Sequence, residues 1–76
     1  MMKYPNKGRL EQLRNAYPAG TRIALVQMDD TQAPPIGTKG TVVSVDDTGS
    51  LLVQWDNGSG LNVIDGVNMV RKMEKV

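Results

Sequence analysis

The segment Ser50-Leu51-Leu52-Val53-Gln54-Trp55-Asp56-Asn57-Gly58-Ser59-Gly60-Leu61-Asn62-Val63-Ile64 decides the fold. Leu51, Val53 and Trp55 fall on one face of an extended chain, so residues 50–55 read as a strand with one buried side. Asn57-Gly58 is the pair preferred in turns whose twist matches the flanking strands. Residues 61–64 then read as a returning strand.

Working outward, Asp46-Asp47-Thr48-Gly49 is a second tight turn, with a glycine available for positive φ. It joins Ser50 to a strand predicted over Thr41 to Val45. Further upstream Thr21 to Met28 alternates and is rich in β-branched and aliphatic residues, which predicts another strand. Between them Asp29 to Pro35 reads as a loop, because Pro34 and Pro35 cannot donate backbone hydrogen bonds. Gly37-Thr38-Lys39-Gly40 turns the chain into the next strand. Downstream, Asp65-Gly66 breaks the fourth strand and Val67 to Arg71 reads as a short fifth. Residues 7–17 place Leu10, Leu13 and Tyr17 at helical spacing, and Pro18 and Gly20 stop that helix. So short a helix must dock on something to persist in water.

The expected fold is therefore mainly β: a small SH3-like five-stranded barrel with one short N-terminal helix. Residues 1–6 read as an N-terminal tail and residues 7–76 as a single domain. Ile23, Leu25, Val42, Val45, Leu51, Val53, Leu61, Val63, Val67 and Val70 are the expected core.

Seventy-six residues bury a thin core, and with neither cysteine nor histidine there is no disulfide or thiolate metal site to staple it. Oligomerisation is the remaining staple, so a dimer or larger assembly is expected. Nine Lys and Arg against eight Asp and Glu give a net charge of +1, weak for a nucleic-acid binder. The cations gather toward the two ends (Lys3, Lys7, Arg9 and Arg14; Arg71, Lys72 and Lys75) around an acidic and neutral middle. No apolar run approaches a membrane span, and the first residues lack the apolar stretch of a signal peptide, so a cytoplasmic location is expected.

Without His or Cys, acid, base and nucleophile choices shrink to carboxylates, hydroxyls and Lys. Asp29-Asp30 and Asp46-Asp47 are adjacent pairs whose side chains diverge, so neither makes a dyad. Asp46-Asp47 reads as a turn cap. Asp29-Asp30 opens a Pro-rich loop, a place where binding residues often sit. Carboxylates alone would suit Mg²⁺ or Ca²⁺, but no spaced Asp loop is present and no metal is expected. Gly37-Thr38-Lys39-Gly40-Thr41 lacks the spacing and following helix of a phosphate loop. Trp55, at a strand end beside a turn, is a candidate half-exposed stacking platform. An enzyme is not expected.

From Tyr17 to Lys72 the chain resembles a family of short proteins from bacteriophages, prophages and mobile elements, filed as a domain of unknown function. Four blocks carry the resemblance. They are Tyr17-Pro18-Ala19-Gly20-Thr21-Arg22; Met28-Asp29-Asp30 followed by Gln32-Ala33-Pro34-Pro35; Gly37-Thr38-Lys39-Gly40-Thr41-Val42; and Gly49-Ser50 running into Trp55-Asp56-Asn57-Gly58-Ser59. Some members resemble the second class of Thoeris anti-defence protein. The resemblance implies a sponge that binds a cyclic ADP-ribose isomer made by a TIR-domain enzyme. It would hold that messenger uncleaved in the host bacterial cytoplasm, away from its effector. It also implies a homotetramer with pockets between subunits, cyclic dinucleotides as further ligands, and no cofactor.

Such a ligand needs a flat apolar face, hydroxyl partners and donors for phosphate. Trp55 or the Pro34-Pro35 edge would supply the face. Asp29, Asp30 and Asn62 would meet ribose hydroxyls, and Thr38, Gly58 and Ser59 would donate. Arg22 or Lys39 would meet phosphate charge, and Met28 sits beside the acidic pair. The rival readings are an SH3-like nucleic-acid module, against which near-neutral charge and only three aromatics weigh, and a protein-interaction adaptor.

Overall fold

The computed structural model describes residues 6–73. Met1–Pro5 of the expected tail, with Lys3, lie outside the described residues, as do residues 74–76 with Lys75. The elements run α1 (Lys7–Ala16), β1 (Arg22–Gln27), β2 (Lys39–Val45), β3 (Ser50–Trp55), β4 (Val63–Ile64) and β5 (Met69–Lys72). The five strands form one antiparallel-paired sheet in the order β4-β3-β2-β1-β5. This is the mainly β, five-stranded, single-helix architecture that the sequence predicts.

That order forces the sheet to roll. In a flat sheet β4 and β5 would stand four strand spacings apart, about 19 Å. Yet only residues 65–68 connect them, and those form a turn: the Ile64 carbonyl accepts both the Val67 amide at 3.0 Å and the Asn68 amide at 2.9 Å. The Asn68 side chain answers by accepting the Ile64 amide at 2.9 Å. The two sheet edges are thus brought together at one turn, without a ladder between them.

Two bulges accommodate the curvature. The β2–β3 register shifts between Val42 and Ser44, and the β1–β5 register between Leu25 and Gln27. The first shift explains an otherwise odd spacing. Val42 and Val45 both face the core, three positions apart, because Val43 is the extra residue and is 53% exposed.

The core gathers Leu13, Ile23, Leu25, Val42, Val45, Leu51, Val53, Trp55 and Val63. Helix α1 contributes Leu13, the docking its length requires. Asn6 caps the helix, its side chain accepting the Arg9 amide at 2.8 Å. Two exposed ion pairs link the helix to the sheet: Arg9 to Asp65 at 2.6 Å beside the β4–β5 turn, and Arg14 to Asp47 at 2.9 Å beside the β2–β3 turn.

Several expectations need correction. Val67 is 67% exposed, because it sits in the edge-joining turn and not in β5. Leu61 is only partly buried and outside the ladder, since its carbonyl turns to accept the Trp55 indole N–H at 2.7 Å. Val70 packs on the core from a partly buried position. β2 begins at Lys39, two residues early, because the Lys39 carbonyl already accepts the Asp56 amide at 2.9 Å. The expected half-exposed Trp55 is instead 2% exposed. Gly40 makes this possible: a Cβ there would stand 2.8 Å from Trp55 Cε3 and 2.8 Å from Val53 Cγ1.

Gly40→Ala would therefore force strand β2 away from the ring, a cost of about 1–3 kcal/mol. The urea midpoint of the variant should fall accordingly, and an unchanged midpoint would show that the seat is looser than described. A second expectation concerns acid. The Asp46 carboxylate accepts the Thr48 hydroxyl at 2.6 Å, the Ser50 amide at 2.9 Å and the Thr48 amide at 3.0 Å. These bonds, the Thr48 hydroxyl foremost, hold it below the usual carboxylate range. They vanish on unfolding, so their stabilisation is present above an unfolded value of about 3.9 and is lost as pH falls through the lower folded value. Melting temperatures at neutral and acid pH should differ less in Asp46→Asn than in the parent chain.

Candidate functional site

The main cleft, about 700 Å³, lies where the chain leaves α1 and enters the sheet. Its wall includes Pro18, Ala19, Gly20 and Thr21, and three cations reach it: Arg22 from β1, Lys39 from β2 and Lys72 from β5. Met73 adds apolar surface, and among the described residues no carboxylate lines it.

The wall is built locally. Tyr17 closes the helix by donating its amide to the Leu13 carbonyl at 2.8 Å, and Pro18 prevents continuation. Gly20, with φ of 92°, redirects the chain in a conformation that disfavours other residues. The Gly20 amide then donates to the Val42 carbonyl at 2.8 Å, and the Val42 amide to the Thr21 carbonyl at 2.9 Å. The Thr21 hydroxyl donates to the Pro18 carbonyl at 2.6 Å. These bonds lash the segment to β2 and leave its outer side facing the cleft.

The cations are held differently. Arg22 grips Asp56 through two bonds, at 2.8 Å and 2.6 Å, and donates to the Thr41 hydroxyl at 2.9 Å. The guanidinium thereby holds Asp56 below the usual carboxylate range, first through its hydrogen bonds and further through charge, with Lys39 adding to the effect. Arg22 is itself pushed up, chiefly by the bond to Asp56. Both partners are solvent-exposed, so the pair positions the guanidinium more than it stabilises the fold. The Lys72 ammonium stands 5.4 Å from the centre of the Tyr17 ring, a cation–π contact. Among the described residues Lys39 and Lys72 make no ion pair.

Arg22 and Lys39, expected to meet phosphate charge, are both on this cleft. The other candidates are not. Met28, Asp29, Asp30, Pro34, Pro35 and Thr38 belong to the β1–β2 loop, and Gly58, Ser59 and Asn62 to the β3–β4 loop. Gly40 pairs with Trp55, so both loops leave the same end of the sheet. None of these residues lines the main cleft or either of two smaller ones.

Many have local structural work. Met28 packs on the core, and Pro34 is buried. The Asp30 side chain accepts the Gln32 amide at 2.8 Å, and the Pro35 carbonyl accepts the Thr38 amide at 3.0 Å. Asn57 accepts the Ser59 amide at 3.0 Å. Asp29, Pro35, Gly58 and Asn62 are exposed. Trp55 offers no face to solvent.

Lys72, Met73 and the Pro18–Thr21 wall are lining residues that sequence reasoning did not assign to a site. Two signals pointed there: the Tyr17–Arg22 block and the C-terminal run of cations. Among the described residues no group of three His, Cys, Asp or Glu gathers as a metal site, and no helix is long and apolar enough to cross a membrane. The arrangement combines three cationic side chains with apolar walls, a lining able to meet an anion; the Thr21 hydroxyl hydrogen is already donated to the Pro18 carbonyl.

The profile of a family described as a domain of unknown function, DUF4314, matches residues 6–73. No curated protein and no solved structure matches the chain.

With Trp55 in the core, its emission should be blue-shifted and poorly quenched by iodide in the folded chain. Efficient quenching without unfolding would return the ring to the surface.

Proposed function

The chain belongs to the DUF4314 family, and from that premise we propose that it binds a cyclic nucleotide immune messenger and holds it uncleaved. A cyclic ADP-ribose isomer is the first candidate and cyclic dinucleotides the second. In this reading the protein is an anti-defence sponge of the second Thoeris class, working in the host cytoplasm as a homotetramer.

One observation carries the proposal. The main cleft is walled by Pro18–Arg22 and Lys39, which belong to two of the sequence blocks that carry the family resemblance, and among the described residues its lining holds cations and no carboxylate. Its volume of about 700 Å³ lies in the range of small-ligand sites. Phosphate charge is the feature that all these messengers share, and the cleft complements it. Sequestration asks for affinity and no reacting group, which suits a lining of Lys, Arg, Thr and apolar residues.

Exposed surface suits the homotetramer that this reading requires. Asp29, Pro35, Gly58 and Asn62 face outward on loops at one end, without a cleft of their own in a single chain. Ile36, 75% exposed, and Met69, 55% exposed, also leave apolar surface for a neighbouring subunit to cover.

Calorimetric titration tests the proposal, with cyclic ADP-ribose isomers, cyclic dinucleotides, linear ADP-ribose and a short single-stranded oligonucleotide. Each complex is then heated and the released ligand identified by chromatography. Submicromolar binding with the cyclic ligand recovered intact is the expected result. Conversion of the ligand would mean catalysis. Binding of the oligonucleotide alone, falling steeply with salt, would favour the nucleic-acid reading.

A further inference from the structure

We propose that the Asn57-Gly58 junction is a modification site, where the side-chain amide is lost through a succinimide, and that the native turn restrains this reaction until the β3–β4 loop opens. The inference is independent of what the main cleft binds.

The choice of residue follows from the neighbours. The chain has five asparagines, Asn6, Asn15, Asn57, Asn62 and Asn68, and only Asn57 precedes a glycine. Attack on an Asn side chain comes from the backbone nitrogen of the next residue, and a Cβ on that residue crowds the approach. Lys7, Ala16, Val63 and Met69 each carry one, and Gly58 does not. Nucleophile and carbonyl are then held in one five-membered ring, the proximity that makes an intramolecular attack effective. Asn57 and Gly58 are both exposed, so water and base reach them. Asp65-Gly66 has the same bare backbone, but a carboxylate is a poor electrophile, and Arg9 holds both of its oxygens, at 2.8 Å and 2.6 Å.

The chemistry needs only base and water. A base takes the Gly58 amide proton, and the nitrogen attacks Asn57 Cγ, forming a new C–N bond. The Cγ–Nδ2 bond breaks, and the departing nitrogen takes up a proton and leaves as ammonia. Water opens the resulting ring. Opening at Cγ restores the peptide bond and leaves an aspartate at position 57. Opening at the main-chain carbonyl leaves an isoaspartate, with the chain running through the side chain. One water is consumed, one ammonia is released, and nothing is oxidised or reduced.

The folded turn opposes the first step. The Gly58 amide donates to the Trp55 carbonyl at 3.0 Å, and loss of its proton gives up that bond. The Asn57 side-chain oxygen accepts the Ser59 amide at 3.0 Å, so the carbonyl under attack is not free to rotate. Trp55 holds the turn at both ends, since its indole N–H also donates to the Leu61 carbonyl at 2.7 Å. Conversion of Asn57 therefore measures how often this loop leaves its seat on Trp55.

Either product changes the surface. A neutral amide becomes a carboxylate one residue from Asp56, the partner of Arg22, and the formal net charge of +1 falls to zero. Isoaspartate also adds a main-chain carbon to the turn that places Leu61.

The test incubates the parent chain at mildly alkaline pH, folded and in urea above its midpoint. Peptide mapping by mass spectrometry locates each lost amide, and enzymatic methylation of isoaspartate identifies the product. In urea Asn57 should convert before the other four asparagines, faster as pH rises, and Asn57→Gln should remain intact there. The folded chain should convert at least about tenfold more slowly, the factor that one ordinary hydrogen bond supplies. Gly40→Ala, which disturbs the Trp55 seat, should convert faster than the folded parent. Urea below the midpoint does the same in the parent chain, so the expectation stands even if that variant does not fold. Another asparagine converting first in urea would overturn the site. Equal rates in folded and unfolded chains, or a folded rate unmoved by urea below the midpoint, would overturn the restraint.

Discussion

The contact of the Trp55 ring with the bare backbone of Gly40 organises one whole end of this protein. An indole in a core needs room for its ring and an acceptor for its N–H. Gly40 provides the room, and the Leu61 carbonyl provides the acceptor at 2.7 Å. That second bond fixes where the chain must stand after the Asp56–Gly60 turn. It draws Leu61 away from β3, delays β4 until Val63, and leaves that strand only two residues long. The shape of the β3–β4 loop follows from a ring buried on the neighbouring strand.

Rolling of the sheet makes the cleft possible. Because residues 65–68 tie the last two strands together, β5 returns beside β1, and the Met73 amide donates to the Arg22 carbonyl at 2.9 Å. The segment linking α1 to β1 then crosses the end of the sheet, beside cations delivered by three different strands. The arginines are divided between two kinds of work. Arg9 and Arg14 pair with Asp65 and Asp47 from the helix, while Arg22 pairs with Asp56 at the sheet. A net charge of +1 coexists with three cationic residues in the lining of one cleft.

The elements were largely legible in the sequence because they rest on local chemistry. Leu51, Val53 and Trp55 alternate, Asn57-Gly58 and Asp46 to Gly49 turn, and Pro18 stops a helix; each signal acts within a few residues. β3 runs from Ser50 to Trp55 as its alternation predicts. What depends on distant partners was not legible. Val67 looks like a core strand residue until the turn that joins the sheet edges exposes it. Trp55 beside a glycine-rich turn looks like a surface platform until Gly40, fifteen positions earlier, takes the ring. The cleft was half legible. Arg22 and Lys39 stood out as cations within informative blocks, but only strand order brings Lys72 to them. The acidic and proline-rich loop drew attention because loops often bind ligands, yet much of its polarity and burial serves its own conformation.

Strand order also has a consequence for how the chain is made. β1 is the first strand to leave the ribosome, and β5 the last, yet they lie side by side with Ile23 opposite Lys72. Until β5 emerges, the flank of β1 away from β2 exposes unpaired amides and carbonyls, and the β2–β3 hairpin can form only around an open sheet. That pairing joins residues about fifty positions apart, as Ile23 and Lys72 are, which places the fold among slow, non-local topologies. Pairing of β1 with β5 consequently waits for β5, and a nascent chain stalled before Met69 would present a sticky edge to chaperones.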